Sequence, residues 1–166
     1  FSNVFASSDK VASLGNIKGE VNVKVKKTRR TVAGRKSMIL RDGDMVMTGK
    51  GTNVSIIFRD GSEIRLFQNT QFLIEKSEES SNGDRSFRHK FFMKLGSFWG
   101  RFIKNRQSTE VRTPTATIGI KGTSLKLTEN SKGSSVRLSS GLISVKNDDE
   151  NNDLMPGKMI DGISKK

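Results

Sequence analysis

The amino-acid sequence predicts an all-β fold of two packed antiparallel sheets, a β-sandwich or compact β-roll with many short strands and hairpins. Period-two alternation of apolar and polar residues dominates the chain, and that spacing lines one face of a strand. Sixteen glycines against two prolines fit frequent tight turns better than long helices. Hydrophobic residues make up 33% of the chain, so the core between the layers is expected to be slim.

Val21, Val23 and Val25 alternate with Asn22, Lys24 and Lys26 as in a half-buried strand. Asp42-Gly43-Asp44 turns into Met45-Val46-Met47, and Lys50-Gly51 is a second turn. Val54, Ile56 and Phe58 share a face and run into Asp60-Gly61, a hairpin signal because both residues tolerate positive φ. The return strand sets Ile64 and Leu66 against Glu63, Arg65 and Phe67. Phe72 and Ile74 precede a polar stretch, Ser77 to Asp84, that reads as a loop. Phe91, Met93 and Leu95 lead to a turn at Gly96 and a strand from Phe98 to Ile103. Pro114 marks an edge or loop, since it cannot donate to a ladder. Ile118, Ile120, Leu125 and Leu127, then Val136, Leu138, Leu142, Ile143 and Val145, supply the remaining strands. Asn147 to Asp153 reads as solvated and acidic, and Met155 to Met159 as a last turn.

One domain is expected over residues 11–162, with a tail at 163–166. Residues 1–10 read as a disordered start or as the remnant of a secretory signal. Val4-Phe5-Ala6 before Ser7-Ser8 has the small-residue character of a cleavage end. A weak internal echo relates the hairpin from Gly51-Thr52 to Leu66 with the one from Gly122-Thr123 to Leu138, suggesting two related sheet layers.

Thirty Lys and Arg against 17 Asp and Glu give a formal charge of +13. Such a field attracts polyanions: nucleic acid, anionic headgroups, lipopolysaccharide phosphates or acidic wall polymers. The absence of cysteine excludes disulfides, thiolate metal sites and cysteine nucleophiles. No apolar run approaches the length of a transmembrane helix. One histidine, no tyrosine, and no paired-acid or phosphate-cradling motif disfavour an enzyme, and no cofactor or metal is expected. Asp42 and Asp44 could offer oxygens to a hard cation but lack calcium-loop spacing, so turn chemistry accounts for them better.

Three ordered segments resemble the FecR-like domain family. The first is Gly43-Asp44 through Thr48-Gly49, with Phe58-Arg59-Asp60-Gly61-Ser62 and Ile64-Arg65-Leu66. The second is Leu95-Gly96-Ser97-Phe98-Trp99. The third is Val111-Arg112-Thr113-Pro114 with Ala116, then Ile120-Lys121-Gly122-Thr123. Their order agrees from about Val11 to Lys146; Lys121 stands where the family more often has Arg, and Leu125 where an aromatic is expected. The resemblance implies an all-β periplasmic or otherwise extracytoplasmic module that is not an enzyme. Its implied partner is an envelope protein, such as an outer-membrane receptor or membrane regulator. The charge adds an anionic envelope polymer as a second partner class. A nucleic-acid-binding basic β protein is the rival reading, disfavoured because no nucleic-acid fold signature accompanies the basic runs.

The cluster from Arg85 to Arg106 interleaves cations with Phe87, Phe91, Phe92, Phe98, Trp99 and Phe102. Adjacent Phe91-Phe92 and Phe98-Trp99 place one aromatic on each side of a strand. Arg88, Lys90, Trp99 and Arg101 are therefore the candidate partner-binding residues, expected on one exposed patch. The plainer account is an aromatic core with a cationic solvent face. A second basic run, Lys24 to Lys36, lies near an expected hairpin. His89 sits between two cations and is not expected to form a site. Thr113-Pro114 and Gly122-Thr123 read as determinants of the fold.

Overall fold

A computed structural model describes residues 10–80, 86–104, 107–147, 151–154 and 159–163. Among these the chain forms fourteen strands and no helix. They are β1 (Lys10–Lys18), β2 (Val21–Val25), β3 (Arg30–Ala33), β4 (Ile39–Arg41), β5 (Met45–Thr48), β6 (Asn53–Phe58) and β7 (Glu63–Leu66). There follow β8 (Gln71–Glu79), β9 (Phe87–Arg101), β10 (Gln107–Arg112), β11 (Thr117–Asn130), β12 (Gly133–Lys146), β13 (Asn151–Leu154) and β14 (Met159–Ile163).

Three long strands organise the rest. Residues 87–95 of β9 pair with β8, and β10 lies along 87–92 on the other side. Residues 98–101 pair with β7, and 96–101 with β11. Strands β11 and β12 behave alike, pairing with each other on both sides of an irregularity between Lys121 and Leu125. The result is one continuous hydrogen-bonded sheet with two arms. The first arm runs β3-β2-β5-β8 to the leading half of β9, then β10, the leading half of β11, the trailing half of β12, and β13. The second runs β4-β1-β6-β7 to the trailing halves of β9 and β11, then the leading half of β12 and β14.

The arms face each other because all three long strands reverse which side chains point inward. Phe91 and Met93 are buried before the reversal in β9, and Phe98 after it. In β11 the change falls between Ile120 and Leu125, and in β12 between Leu138 and Ile143. Each reversal holds a positive-φ glycine: Gly96 at 107°, Gly122 at 51° and Gly141 at 83°. In an unbroken strand inward residues recur at even intervals, so an odd interval of five residues requires a local irregularity of this kind.

Gly96 shows what the bend demands. A Cβ there would lie 2.2 Å from Thr70 Oγ1 and 2.4 Å from Thr70 Cα. The closeness is used: the Ser97 N–H donates to Thr70 Oγ1 at 3.0 Å. The Thr70 N–H donates to Thr48 Oγ1 at 2.9 Å, and that hydroxyl donates to the Phe67 carbonyl at 2.6 Å. A buried hydroxyl relay thus ties the β7–β8 connection to the corner of β9. Inside the corner, the Phe72 ring centroid lies 5.1 Å from Phe91 and 5.7 Å from Phe98. Phe58 of the second arm reaches Phe91 of the first at 5.1 Å.

The all-β expectation holds, while several details differ. The layers are arms of one curled sheet, not two separate sheets, because β9, β11 and β12 cross from one to the other. The two echoing hairpins, β6–β7 and β11–β12, lie on opposite sides of β9 within that sheet. The ladder is antiparallel except between β9 and β10, which run parallel. Leu95 points outward, at 37% exposure, because it sits on the bend. The expected loop at Ser77 is still strand as far as Glu79, and its residues 81–84 lie outside the described residues. Asn151 to Asp153 belong to β13, and Met159 opens β14; residues 148–150 and 155–158 lie outside the described residues, as do 1–9 and 164–166.

Substituting Gly96 by alanine is expected to destabilise the domain by at least about 2 kcal/mol, combining positive φ with a backbone clash. Gly51, at φ 67° with nothing within 4 Å of an added Cβ, should lose only about 1 kcal/mol on the same change. Urea denaturation of the two variants measures the difference, and equal losses would refute the corner assignment.

Candidate binding face

The bend in β9 decides where the four predicted binding residues go. Arg88 and Lys90 are exposed on the outer side of the first arm, and Trp99 (half-buried) and Arg101 (exposed) on the outer side of the second. The inner sides of both halves meet on Phe72, so their outer sides face away from each other. The structure therefore brings the four together as two pairs on different arms.

The two pairs have different electrostatic surroundings. Across the ladder, Arg88 stands opposite Glu78, and Lys90 lies between Lys76 and Glu110. Lys76 is 3.7 Å from Asp42, and Arg112 pairs with Glu75. Cations and carboxylates thus interleave on the first arm. On the second, the ladder aligns Ser55, Arg65, Trp99, Lys126 and Arg137 in one row across β6, β7, β9, β11 and β12. Neighbours in such a row are about 4.8 Å apart between strands, so Trp99 is flanked directly by Arg65 and Lys126. The adjacent row holds Glu63, Arg101 and Ser124. Glu63 accepts a hydrogen bond from the Ser55 hydroxyl at 3.1 Å and lies 3.9 Å from Arg65. Lys126 Nζ sits 5.2 Å from the Phe67 ring. A tryptophan framed by cations, with Glu63 the one outward-facing carboxylate among the described side chains of β6, β7 and these halves of β9 and β11, is arranged to meet an anionic surface.

Sequence reasoning found Trp99 and Arg101 but missed Arg65, Phe67 and Lys126. Their outward positions follow from the period-two pattern; their adjacency to Trp99 depends on strand order, which no local pattern carries. Arg85 and Arg106 of the cluster lie outside the described residues.

His89 is buried, with its ring stacked near Phe87 and Phe91 and tilted against Phe58. Its Nε2–H donates to Asp60 Oδ2 at 2.8 Å, since a carboxylate can only accept. Its Nδ1 is 2.8 Å from the Ser77 hydroxyl, which can donate to a neutral ring or accept from a charged one. Asp60 also accepts from the Ser62 N–H at 2.9 Å and the Ser62 hydroxyl at 3.0 Å. The Ile103 N–H in turn donates to Ser62 Oγ at 3.2 Å. The Ser-His-Asp chain resembles a catalytic arrangement by composition only: the hydroxyl is buried. What it does is bridge the arms, joining the β6–β7 hairpin to β8 and β9. Burial pushes the Asp60 carboxyl up, but the hydrogen bond and charge of His89, with the Ser62 bonds, outweigh it and hold the group below its ordinary 3.8.

The other motif residues also bind backbone. Both Asp44 oxygens accept N–H groups, from Lys26 and Arg41, at 3.0 Å. Asp42 Oδ1 accepts from the Ser77 N–H at 2.8 Å. These bonds are turn chemistry, and among the described residues no three His, Cys, Asp or Glu side chains gather to hold a metal. Thr113 Oγ1 accepts from the N–H of Thr115 at 3.2 Å and of Ala116 at 3.0 Å, closing the turn around Pro114. It touches Ser134 Oγ at 2.8 Å, and Ser134 and Thr115 both donate to buried Glu129.

With these roles in view, comparison with known proteins is informative. The sequence profile of the FecR protein family matches residues 44–144, from the Asp44 turn staple to the trailing half of β12. That is more than half of the chain. The chain belongs to the FecR family.

The fold is shared with two crystal structures, at 1.65 and 2.50 Å resolution, of a candidate anti-sigma factor from Parabacteroides distasonis ATCC 8503. Each matches with a TM-score of 0.57 at 16% identity, covering 69% of this chain. The matched region is 52% of that protein, so this chain spans about half of it. No curated protein is similar in sequence. The FecR motifs Gly43-Asp44, Thr48-Gly49, Asp60-Gly61-Ser62, Leu95-Gly96-Ser97 and Thr113-Pro114 each occupy a turn staple, relay or corner, and the Trp99 row lies on the strands they hold.

Because Asp60 titrates lower in the folded chain than its ordinary value, its contribution to stability is complete above about pH 4. It is lost as pH falls through the depressed value. Asp60→Asn should therefore be less stable than the parent at pH 7, and its stability, followed by circular dichroism, should decline less between pH 4 and pH 2. A variant whose acid limb parallels the parent would remove Asp60 from this role.

Proposed function

We propose that this FecR domain is a non-enzymatic, extracytoplasmic binding module of a bacterial envelope signalling protein. In this reading it docks an acidic surface of another envelope protein on the outer face of its second arm. The observation that carries the reading is the family match over residues 44–144, which span β6, β7, β9, β11 and most of β12, the strands of the Trp99 row. The fold shared with a candidate anti-sigma factor supports a regulatory setting. Among the described residues no helix is long and apolar enough to cross a membrane.

Trp99 is the anchor in this proposal, with Arg65, Lys126 and Arg101 setting orientation and charge. Arg88 and Lys90, predicted with them, lie on the outer side of the first arm and contribute through the long-range field of a +13 chain. That same charge favours a second reading, in which the partner is an anionic envelope polymer.

Two experiments test the proposal. Epitope-tagged gene product should fractionate with the envelope; a cytosolic location would overturn the extracytoplasmic role. Fluorescence anisotropy with labelled poly-glutamate, teichoic acid and single-stranded DNA should show poly-glutamate bound with a marked salt dependence. Trp99→Ala should weaken it at least about tenfold, and Lys126→Ala about threefold, against little change for Arg88→Ala. Tightest binding to teichoic acid supports the polymer reading, whereas tightest binding to DNA, or indifference to Trp99, contradicts both.

A further inference from the structure

A second surface, on the outer side of the first arm, has a different chemistry. The ladder places Lys24 of β2, Met45 of β5, Leu73 of β8 and Phe92 of β9 in one row. Met45, Leu73 and Phe92 are half-buried although they point away from the core, and Val25, at the end of β2, is half-buried and packed against the core's edge. Val25, Gly43, Met45 and Leu73 floor a groove of about 450 Å³ whose rim is formed by Lys24, Lys26 and Arg29. That volume falls within the range of roughly 300–1,000 Å³ typical of small-molecule sites.

The rim is built rather than merely solvated. Arg29 holds φ at 57°, a left-handed conformation that disfavours any side chain beyond glycine or asparagine. Its N–H donates to the Val25 carbonyl at 2.8 Å, so the β2–β3 turn fixes it there. The Lys26 stem lies across Gly43, where an added Cβ would come 2.1 Å from Lys26 Cδ. Its backbone N–H is held by Asp44. None of Lys24, Lys26 or Arg29 forms an ion pair with a described residue, and the nearest carboxylates are engaged, Asp44 with backbone and Asp42 with Ser77 and Lys76.

We infer that this groove binds a single-chain anionic amphiphile, the alkyl chain lying over Val25, Met45 and Leu73 and the headgroup against Lys24, Lys26 and Arg29. Charge complementarity selects an anion, and the recessed apolar floor selects a molecule with a hydrocarbon tail. A bilayer surface fits less well, because the apolar residues lie in a groove and do not protrude. Methionine suits such a floor, being flexible and polarisable. This inference is independent of the Trp99 face, which lies on the other arm.

Titration calorimetry with dodecyl phosphate below its micelle concentration tests it, with the Met45 methyl resonance as a local reporter. Binding is expected for dodecyl phosphate, with a shifted Met45 signal, and much weaker binding for dodecyl maltoside and inorganic phosphate. Leu73→Gln should weaken binding about tenfold. Arg29→Gly should weaken it about fivefold while the thermal midpoint stays the same or rises, since glycine relieves the positive φ. Lys132→Gln, at the distant β11–β12 turn, controls for charge and should change nothing. Equal binding of the neutral amphiphile, full competition by inorganic phosphate, indifference to Arg29→Gly, or binding only to phosphatidylglycerol vesicles would each overturn the inference.

Discussion

The corner at Gly96 is the constraint on which the structure depends. It makes β9 a strand of two halves, each with its own neighbours and its own inward set. Gly122 and Gly141 repeat the device in β11 and β12, so the sheet folds over along a line crossing all three strands. Folding over is what creates a core from a chain that is only 33% hydrophobic. One sheet face closes on itself around Phe58, Phe72, Phe91 and Phe98, and each aromatic ring serves both arms. The rings meet tilted or edge-on, and the edge-on pair of Phe72 and Phe98 has the geometry in which aromatics attract beyond the area they bury.

Polar side chains then fix what the aromatics only fill. Hydrophobic burial is indifferent to small slips between the arms, whereas a buried hydroxyl or carboxylate must find its partner. Thr70 and Thr48 hold the corner itself, His89 and Asp60 link the arms, and Thr113 with Glu129 and Ser134 secures the turn before β11. These are FecR motif positions or their contacts. The family signature in this chain is therefore largely a set of fold-fixing bonds, and the proposed binding face lies apart from it on an outer side of the sheet.

The sequence reading succeeded where local pattern suffices. Val54, Ile56, Ile64 and Leu66 alternate cleanly around Asp60-Gly61 and form the hairpin they suggest. Strands β3 and β10 escaped notice because β3 is wholly exposed and Gln107 to Arg112 carries one large apolar residue, Val111. Strand β1 was hidden by a register shift between Leu14 and Ile17 that breaks the alternation. The two-layer architecture was legible in outline, and a finer sign of its corners was present. Met93 to Phe98, Ile120 to Leu125 and Leu138 to Ile143 each span an odd interval across a glycine. The candidate binding face was half legible: Trp99 and Arg101 share a strand, but Arg65 and Lys126 join them only through pairing between distant segments. His89 drew attention only as an isolated histidine, since Asp60 and Ser77 are brought to it by the fold.

The orientation of Trp99 tests this account most directly. If β9 kept the alternation of His89, Phe91 and Met93, residue 99 would point into the core; reversal at Gly96 turns it outward, between Arg65 and Lys126. Trp99 is the one tryptophan in the chain, so its fluorescence reports that orientation without labelling. The account predicts emission characteristic of a partly hydrated indole, quenched more strongly by iodide than by caesium because the surrounding cations concentrate the anion. Blue-shifted emission resistant to both quenchers would show that the strand does not reverse, and the two-armed sheet and its outer binding face would fall together.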